Sequence, residues 1–197
     1  MPLDAYLDLR PQITGESTAA NHEGWIELTE FTYGLGDTSS DAGDIAEELA
    51  QEKTDEGRER ILRDFKRSSQ GKFRSVAFSK LIDKASPLLF KFCALSSTAP
   101  KAGSTLLPKA VVHLCRFTGR DQSKNYVTYA RLHFEQCNIS SISLRVADEG
   151  HTTEDIEMSY EKVAFIYNEI AQGSKGGETR FGWEVTENKE WAGPPKK

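Results

Sequence analysis

Residues 126–144, YVTYARLHFEQCNISSISL, decide the fold of this chain. Leu132 and Phe134 fall on one side of the stretch, which is the period of two that a strand shows when one face is covered. The alternation changes parity near Gln136, so a long ribbon is expected here with a break in its regularity. The residues before and after this ribbon repeat the same pattern in shorter pieces.

Upstream, Lys109 to Phe117 sets Val112 and Leu114 against Val111, His113 and Cys115. The N-terminus sets Leu3, Ala5, Leu7 and Leu9 against Asp4, Tyr6, Asp8 and Arg10, and Pro11 and Gly15 close that strand. From Gly24 to Gly36 the apolar set moves from Ile26 and Leu28 to Phe31, Tyr33 and Leu35, which predicts a β-bulge near Thr29 and Glu30. Phe73 to Lys80 reads as a further strand. Downstream, Ile156, Met158 and Tyr160 alternate, Val163, Phe165 and Tyr167 resume on the other parity, and Phe181 to Val185 follows the turn Gly173 to Gly177. The clearest helix start is Asp83-Lys84-Ala85-Ser86-Pro87, with Ser86 placed to cap and Pro87 at the first helical position. Leu88, Leu89, Phe92 and Cys93 then form one apolar face. The fold class expected is mainly β, two antiparallel sheets forming a barrel or sandwich with one short flanking helix.

One stretch departs from this pattern. Only eight of the 34 residues from Asp37 to Gln70 are apolar, and Gln51 to Arg60 contains none. It reads as a long, charged insertion holding one or two short surface helices around Ile45, Leu49, Ile61 and Phe65, inside a single domain covering residues 1–197. Its charge is polarised: residues 37–60 carry nine acids and three bases, whereas 61–80 carry one acid and six bases.

The chain as a whole has a formal net charge of −5 with 38% hydrophobic residues. That balance is wrong for a protein that tracks nucleic-acid phosphates. No apolar run approaches the length of a membrane-spanning helix, so no membrane insertion is expected, and Met1 to Arg10 does not read as a signal peptide. Cys93, Cys115 and Cys137 are an odd number at wide spacing, neither a disulfide framework nor a zinc pattern. His22, His113, His133 and His151 form no metal-binding spacing, and neither Gly-rich turn matches a phosphate- or dinucleotide-binding loop, so no cofactor is expected. The one pairing with catalytic character is Cys115 with His113, two residues apart on a strand, or with His133, which would suit a small β-barrel hydrolase or thiol enzyme. Two solvent-facing strand residues explain the same pair without chemistry. On its residues the chain reads as a structural or binding protein and not an enzyme.

A series of local strings, in order, resembles the haemolysin-coregulated protein (Hcp) family of type VI secretion. They are Gly15-Glu16-Ser17, then Gly24, Ile26 and Leu28 leading to Tyr33-Gly34, and Phe78-Ser79-Lys80. Asp83-Lys84-Ala85-Ser86-Pro87 with Leu89 follows, then Pro108-Lys109-Ala110, then Tyr129, Leu132 and Phe134, and Ser140-Ser141-Ile142-Ser143. Glu154 precedes Ile156, Met158 and Tyr160-Glu161-Lys162-Val163, Tyr167 closes that strand, and Phe181-Gly182-Trp183-Glu184 precedes Asn188-Lys189. The resemblance implies six subunits in a ring and rings stacked into a tube around a channel. It also implies a contractile sheath outside, a spike of the VgrG family at the tip, effector proteins carried in the lumen, and secretion without a signal peptide. It implies no catalysis. A phage-like tail-tube subunit is the related alternative, on fold analogy alone.

The outward strand residues Val111, His113, Cys115, Phe117, Val127, Tyr129 and Arg131 have the mixed character of a surface that a neighbouring subunit partly covers. The insertion at 37–70, and a long connection from Ser96 to Leu107, depart from the family pattern. Asp41, Glu47, Glu48, Arg58, Arg60 and Arg63 are candidates for contact with an adjacent ring or with cargo, against the alternative that the arm's two halves pair with each other. Only Glu184 to Lys197 follow Trp183, which favours a plain subunit over one fused to a toxin.

Overall fold

The computed structural model describes residues 4–36, 54, 57–58, 72–73, 75–98, 107–117, 126–146, 152–171 and 174–195. The chain divides into two compact units, one formed by Met1–Thr32 with Ser75–Lys197 and the other by Tyr33–Arg74. In the second unit, strands β4 (Leu35–Gly36) and β5 (Lys72–Phe73) pair antiparallel. Thr54 accepts the Arg58 backbone N–H on its carbonyl and that of Gly57 on its hydroxyl. Asp41, Glu47, Glu48, Arg60 and Arg63 lie outside the described residues, and Arg58 is exposed.

The first unit is antiparallel throughout. Its larger sheet runs β12 (Lys189–Glu190), β11 (Ser174–Glu184), β10 (Lys162–Ala171), β8 (Tyr126–Val146), β7 (Leu107–Phe117), β1 (Asp4–Asp8), β2 (Ile26–Leu28). A second layer runs β3 (Glu30–Thr32), β6 (Val76–Leu81), β9 (Thr152–Ser159) and returns to β8. The sheet does not close into a barrel, so of the two architectures expected from the sequence the open, sandwich-like one holds.

Strand β8 belongs to both layers, and the sequence shows where it crosses. It pairs with β10 up to Glu135 and with β7 up to Cys137; from Asn138 on it pairs with β9. At this crossing Gln136 takes a left-handed backbone with φ of 56°. This is the parity change read at Gln136, and it lets inward residues on both halves reach one interior. The change at Thr29 has a different cause from the expected bulge. There the chain leaves β2, which pairs with β1, and enters the other layer, Thr29 donating its N–H to the Ser79 carbonyl as β3 pairs with β6.

The core follows the alternation: Leu7, Ile26, Val76, Phe78, Val112, Phe134, Ile156, Met158 and Val163 are all buried, each apolar side chain contributing about 1.5–3 kcal/mol. Helix α1 (Ser86–Thr98) lies against β8 with Leu89 fully buried. Leu88, expected on the same face, is instead exposed with Phe90 and Leu95, so the helix is apolar on both sides. The outward strand face also differs from its expectation. Val111 and Cys115 are buried, because residues 14–25 fold back over that face and join them to Tyr6 and Trp25 in a second small cluster.

Candidate functional site

Two polar clusters are built into this fold. The first lies where α1 meets β6 and β9. Lys80 alternates inward with Val76 and Phe78 and is fully buried, as is Glu154. Four oxygens surround the Lys80 ammonium: the Leu81 carbonyl at 2.7 Å, Glu154 Oε2 and Asp83 Oδ1 at 2.8 Å, and Ser86 Oγ at 3.0 Å. Ser86 donates its hydroxyl proton to Glu154 at 2.9 Å and accepts the Asp83 backbone N–H at 3.1 Å.

This overturns the capping role expected of Ser86. The Ala85 carbonyl accepts the first helical bond from Leu89, which puts Ser86 and Pro87 already inside the first turn. Asp83 Oδ1 takes the Ala85 N–H, freeing the serine hydroxyl for the buried ion pair. Glu16 reaches the same junction, its carboxylate accepting the Lys84 N–H at 3.0 Å. Four of the separate strings singled out in the sequence, around Glu16, Lys80, Asp83 and Glu154, therefore meet in one structure. Its chemistry is that of a clamp: one buried ammonium is shared by two carboxylates and a hydroxyl, with Lys80 and Glu154 both out of water.

The second cluster contains the thiol. His22, supplied by the loop over residues 14–25, places Nε2 at 2.9 Å from His113 Nδ1 and 3.8 Å from Cys115 Sγ. Thr128 Oγ1 lies 3.4 Å from the same sulfur. Tyr6 stacks on the His22 ring with centroids 4.3 Å apart, and Trp25 leans on His113 at 4.6 Å. Glycines allow the loop to lie this close. A Cβ on Gly15 would sit 2.1 Å from the Trp25 carbonyl oxygen, and Gly24 has φ of 75°.

The electrostatics oppose nucleophilic chemistry. Burial, with smaller effects from the neighbouring His22 and Arg131, lowers the His113 pKa to about 3, so the ring is neutral. Burial also raises the Cys115 thiol, more than the Thr128 hydrogen bond lowers it. An activated thiol needs the reverse on both counts, together with access to substrate. Cys115 is 1% exposed, and the imidazole nearest it is His22, which the sequence reading did not pair with it. Its partner is over ninety residues away, where no spacing rule reaches. Among the described residues no group of three or more His, Cys, Asp or Glu side chains is disposed to hold a metal ion. No described helix is long and apolar enough to cross a membrane.

The surface carries a different signal. Phe165, Tyr167 and Phe181 are each about two-fifths exposed on β10 and β11, with Phe165 and Phe181 directly opposite one another. Tyr129 meets Tyr167 edge-on at 6.5 Å, and Phe181 stacks with Trp183 at 6.3 Å. With the outer side of α1, this is more apolar surface than an isolated polar-faced subunit needs.

Comparison with known proteins gives a consistent result. The family model described as "Type VI secretion system effector, Hcp" matches residues 6–170. The curated protein hcp1 of Pseudomonas aeruginosa is 27% identical over 118 residues, which cover 58% of this chain and 65% of that protein. The match thus spans just under two thirds of that relative's length. A crystal structure of Hcp1 from Salmonella typhimurium superposes over 97% of this chain and all of its own, with a TM-score of 0.64 at 22% identity. A structure titled as a type six secretion system protein covers 96% of this chain and all of its own, with a TM-score of 0.69 at 21% identity. At those identities the structural likeness establishes the fold.

Proposed function

The chain belongs to the Hcp family of the type VI secretion system, and from that premise we propose that it is the subunit of a secreted tube. Six copies associate head to tail into a ring, and rings stack around a channel. A contractile sheath surrounds the stack, a spike of the VgrG family tips it, effector proteins ride inside it, and it leaves the cell without a signal peptide. The observation that carries this reading is the apolar surface of the single subunit. Helix α1 is apolar on both sides, with Leu88, Phe90 and Leu95 exposed, and the aromatic stripe of Phe165, Tyr167 and Phe181 lies open on the sheet. A helix apolar all round is normally covered on both sides, and a stripe of rings is the composition enriched at the centres of protein interfaces. Rings built head to tail need no self-complementary patch, so two unlike apolar faces on one subunit suit them.

Within this reading the single domain of residues 1–197 includes the charged stretch 37–70 as an arm toward the adjacent ring or the cargo, with Asp41, Glu47, Glu48, Arg58, Arg60 and Arg63 as its contacts. The chain performs no reaction of its own, in line with the raised thiol and neutral imidazole of the cluster of Cys115, His22 and His113. The test is the native mass of the purified chain together with negative-stain images. A six-fold ring is expected, and Phe165→Glu should shift the mass to that of a monomer with the circular dichroism unchanged. A wild-type chain that stays monomeric at high concentration overturns the reading. Deleting residues 41–67 should leave rings and impair stacking or cargo binding; unchanged stacking and cargo binding would remove the arm from the interface.

A further inference from the structure

The strand face that bears His113 continues across the sheet as three ladders of side chains in register. The first runs Tyr6, His113, Arg131, Ile166, Arg180. The second runs Asp8, Val111, His133, Ala164, Gly182, and the third Lys109, Glu135, Lys162, Glu184. The C-terminal segment 191–195 lies against the small residues of the second ladder. A Cβ on Gly182 would sit 2.1 Å from the Trp191 carbonyl oxygen, and Gly193, with φ of 72°, rests against Ala164. Arg180 fastens this strap by donating to the Pro194 carbonyl at 3.2 Å.

Between the strap, Trp25 and the ladders is a cavity of about 590 Å³, within the range of small-molecule sites. At one end its polar groups are unbalanced. Arg131 and Arg180 both bind Glu178, at 3.2 and 2.5 Å, so two guanidiniums share one carboxylate. Arg131 Nε is buried and donates to no group among the described residues. At the other end acids and bases face each other: Asp8 is held by Arg10 at 2.7 Å, and Lys109 stands opposite Glu135 in the strand register. A buried donor without an acceptor is costly, and a charge-assisted hydrogen bond to an anion is the strongest way to satisfy it.

We propose that this cavity binds a small carboxylate ligand, whose oxygens accept hydrogen bonds from the Arg131 and Arg180 guanidiniums while its body lies along Val111, Trp25 and Trp191. Glu178 holds the two guanidiniums in place and sets the limit to one negative charge. The site is made by one subunit alone, so it is separate from ring formation and from the tube reading.

Titrating the full chain with benzoate, followed by the fluorescence of the tryptophans that wall the cavity, tests this. Saturable binding is expected, with benzamide, the neutral analogue of the same shape, at least tenfold weaker. Arg131→Gln should weaken benzoate at least tenfold while circular dichroism stays that of the parent. Should Arg131→Gln fail to fold, Arg180→Lys keeps the charge but loses the planar fork; weaker benzoate binding supports the site, and unchanged binding overturns it. Equal binding of benzoate and benzamide, or none of either, overturns the proposal. So does inorganic phosphate binding more tightly than benzoate.

Discussion

The two buried polar clusters fix a loop to a sheet by opposite means. At the α1 junction, Lys80, Asp83 and Glu154 do it with charged groups, one ammonium holding both carboxylates and the Ser86 hydroxyl bridging Lys80 and Glu154. Over β1 and β7, His22, His113 and Cys115 do it with neutral groups packed among Tyr6 and Trp25. Charge in a buried site is tolerable only when all of it is present at once. Neutral rings need no counter-charge, but they hold only while they stay neutral. The first cluster should therefore be fragile to mutation and the second to acid.

The largest effect expected is from Lys80→Met. It leaves the Glu154 and Asp83 carboxylates without their cation and should cost about 3–5 kcal/mol in urea unfolding. Replacing Glu154 by Met in the same chain should recover part of that loss, since one buried anion is then removed. A cost no larger than that of a surface substitution would break the contrast between the clusters.

Acid should act through the histidines. The His113 pKa is about 3 in the folded chain against an ordinary 6.5, because burial disfavours the cation, and His22 is lowered for the same first reason. The unfolded chain then binds more protons between those values, so the stability contributed is complete above pH 6.5 and falls as pH drops toward about 3. The slope expected from one such group is on the order of 1 kcal/mol per pH unit. His113→Gln should flatten the profile of unfolding free energy against pH. If it leaves the profile unchanged, the neutral cluster is not what acid breaks.

Smaller effects sharpen the comparison. Gly15→Ala puts a methyl group into the Trp25 carbonyl and should cost about 1–3 kcal/mol. Hydrogen exchange should quicken over residues 14–25 and stay slow in α1. Cys115→Ala removes one sulfur from a packed site and should cost about 1 kcal/mol, with ring formation intact. Loss of an activity in that variant would instead revive the thiol-enzyme reading.

How far the sequence was legible depends on whether a signal is local. The period of two gave most strands, and the parity change at Gln136 located the crossing between layers, because a left-handed residue resets which side chains face inward. The same kind of change at Thr29 led to a bulge being expected where the chain changes sheets; the alternation alone is identical in both cases. The outward assignment of Val111 and Cys115 failed because a strand cannot report that a distant loop covers its second face. The expectation for Ser86 failed because an N-cap and a partner for a buried ion pair use the same hydroxyl.

The sequence by itself determined the antiparallel β architecture, the helix after Asp83 and the family, through strings that are short and ordered along the chain. Tertiary structure decided what those strings are for. Lys80 and Glu154 are 74 positions apart, and His22 and His113 are 91 apart. Periodicity reports which face a residue takes, a property of neighbouring peptide units. Whether a buried charge or ring finds its partner depends on which strands the fold lays side by side, and that is set only when the whole sheet has assembled.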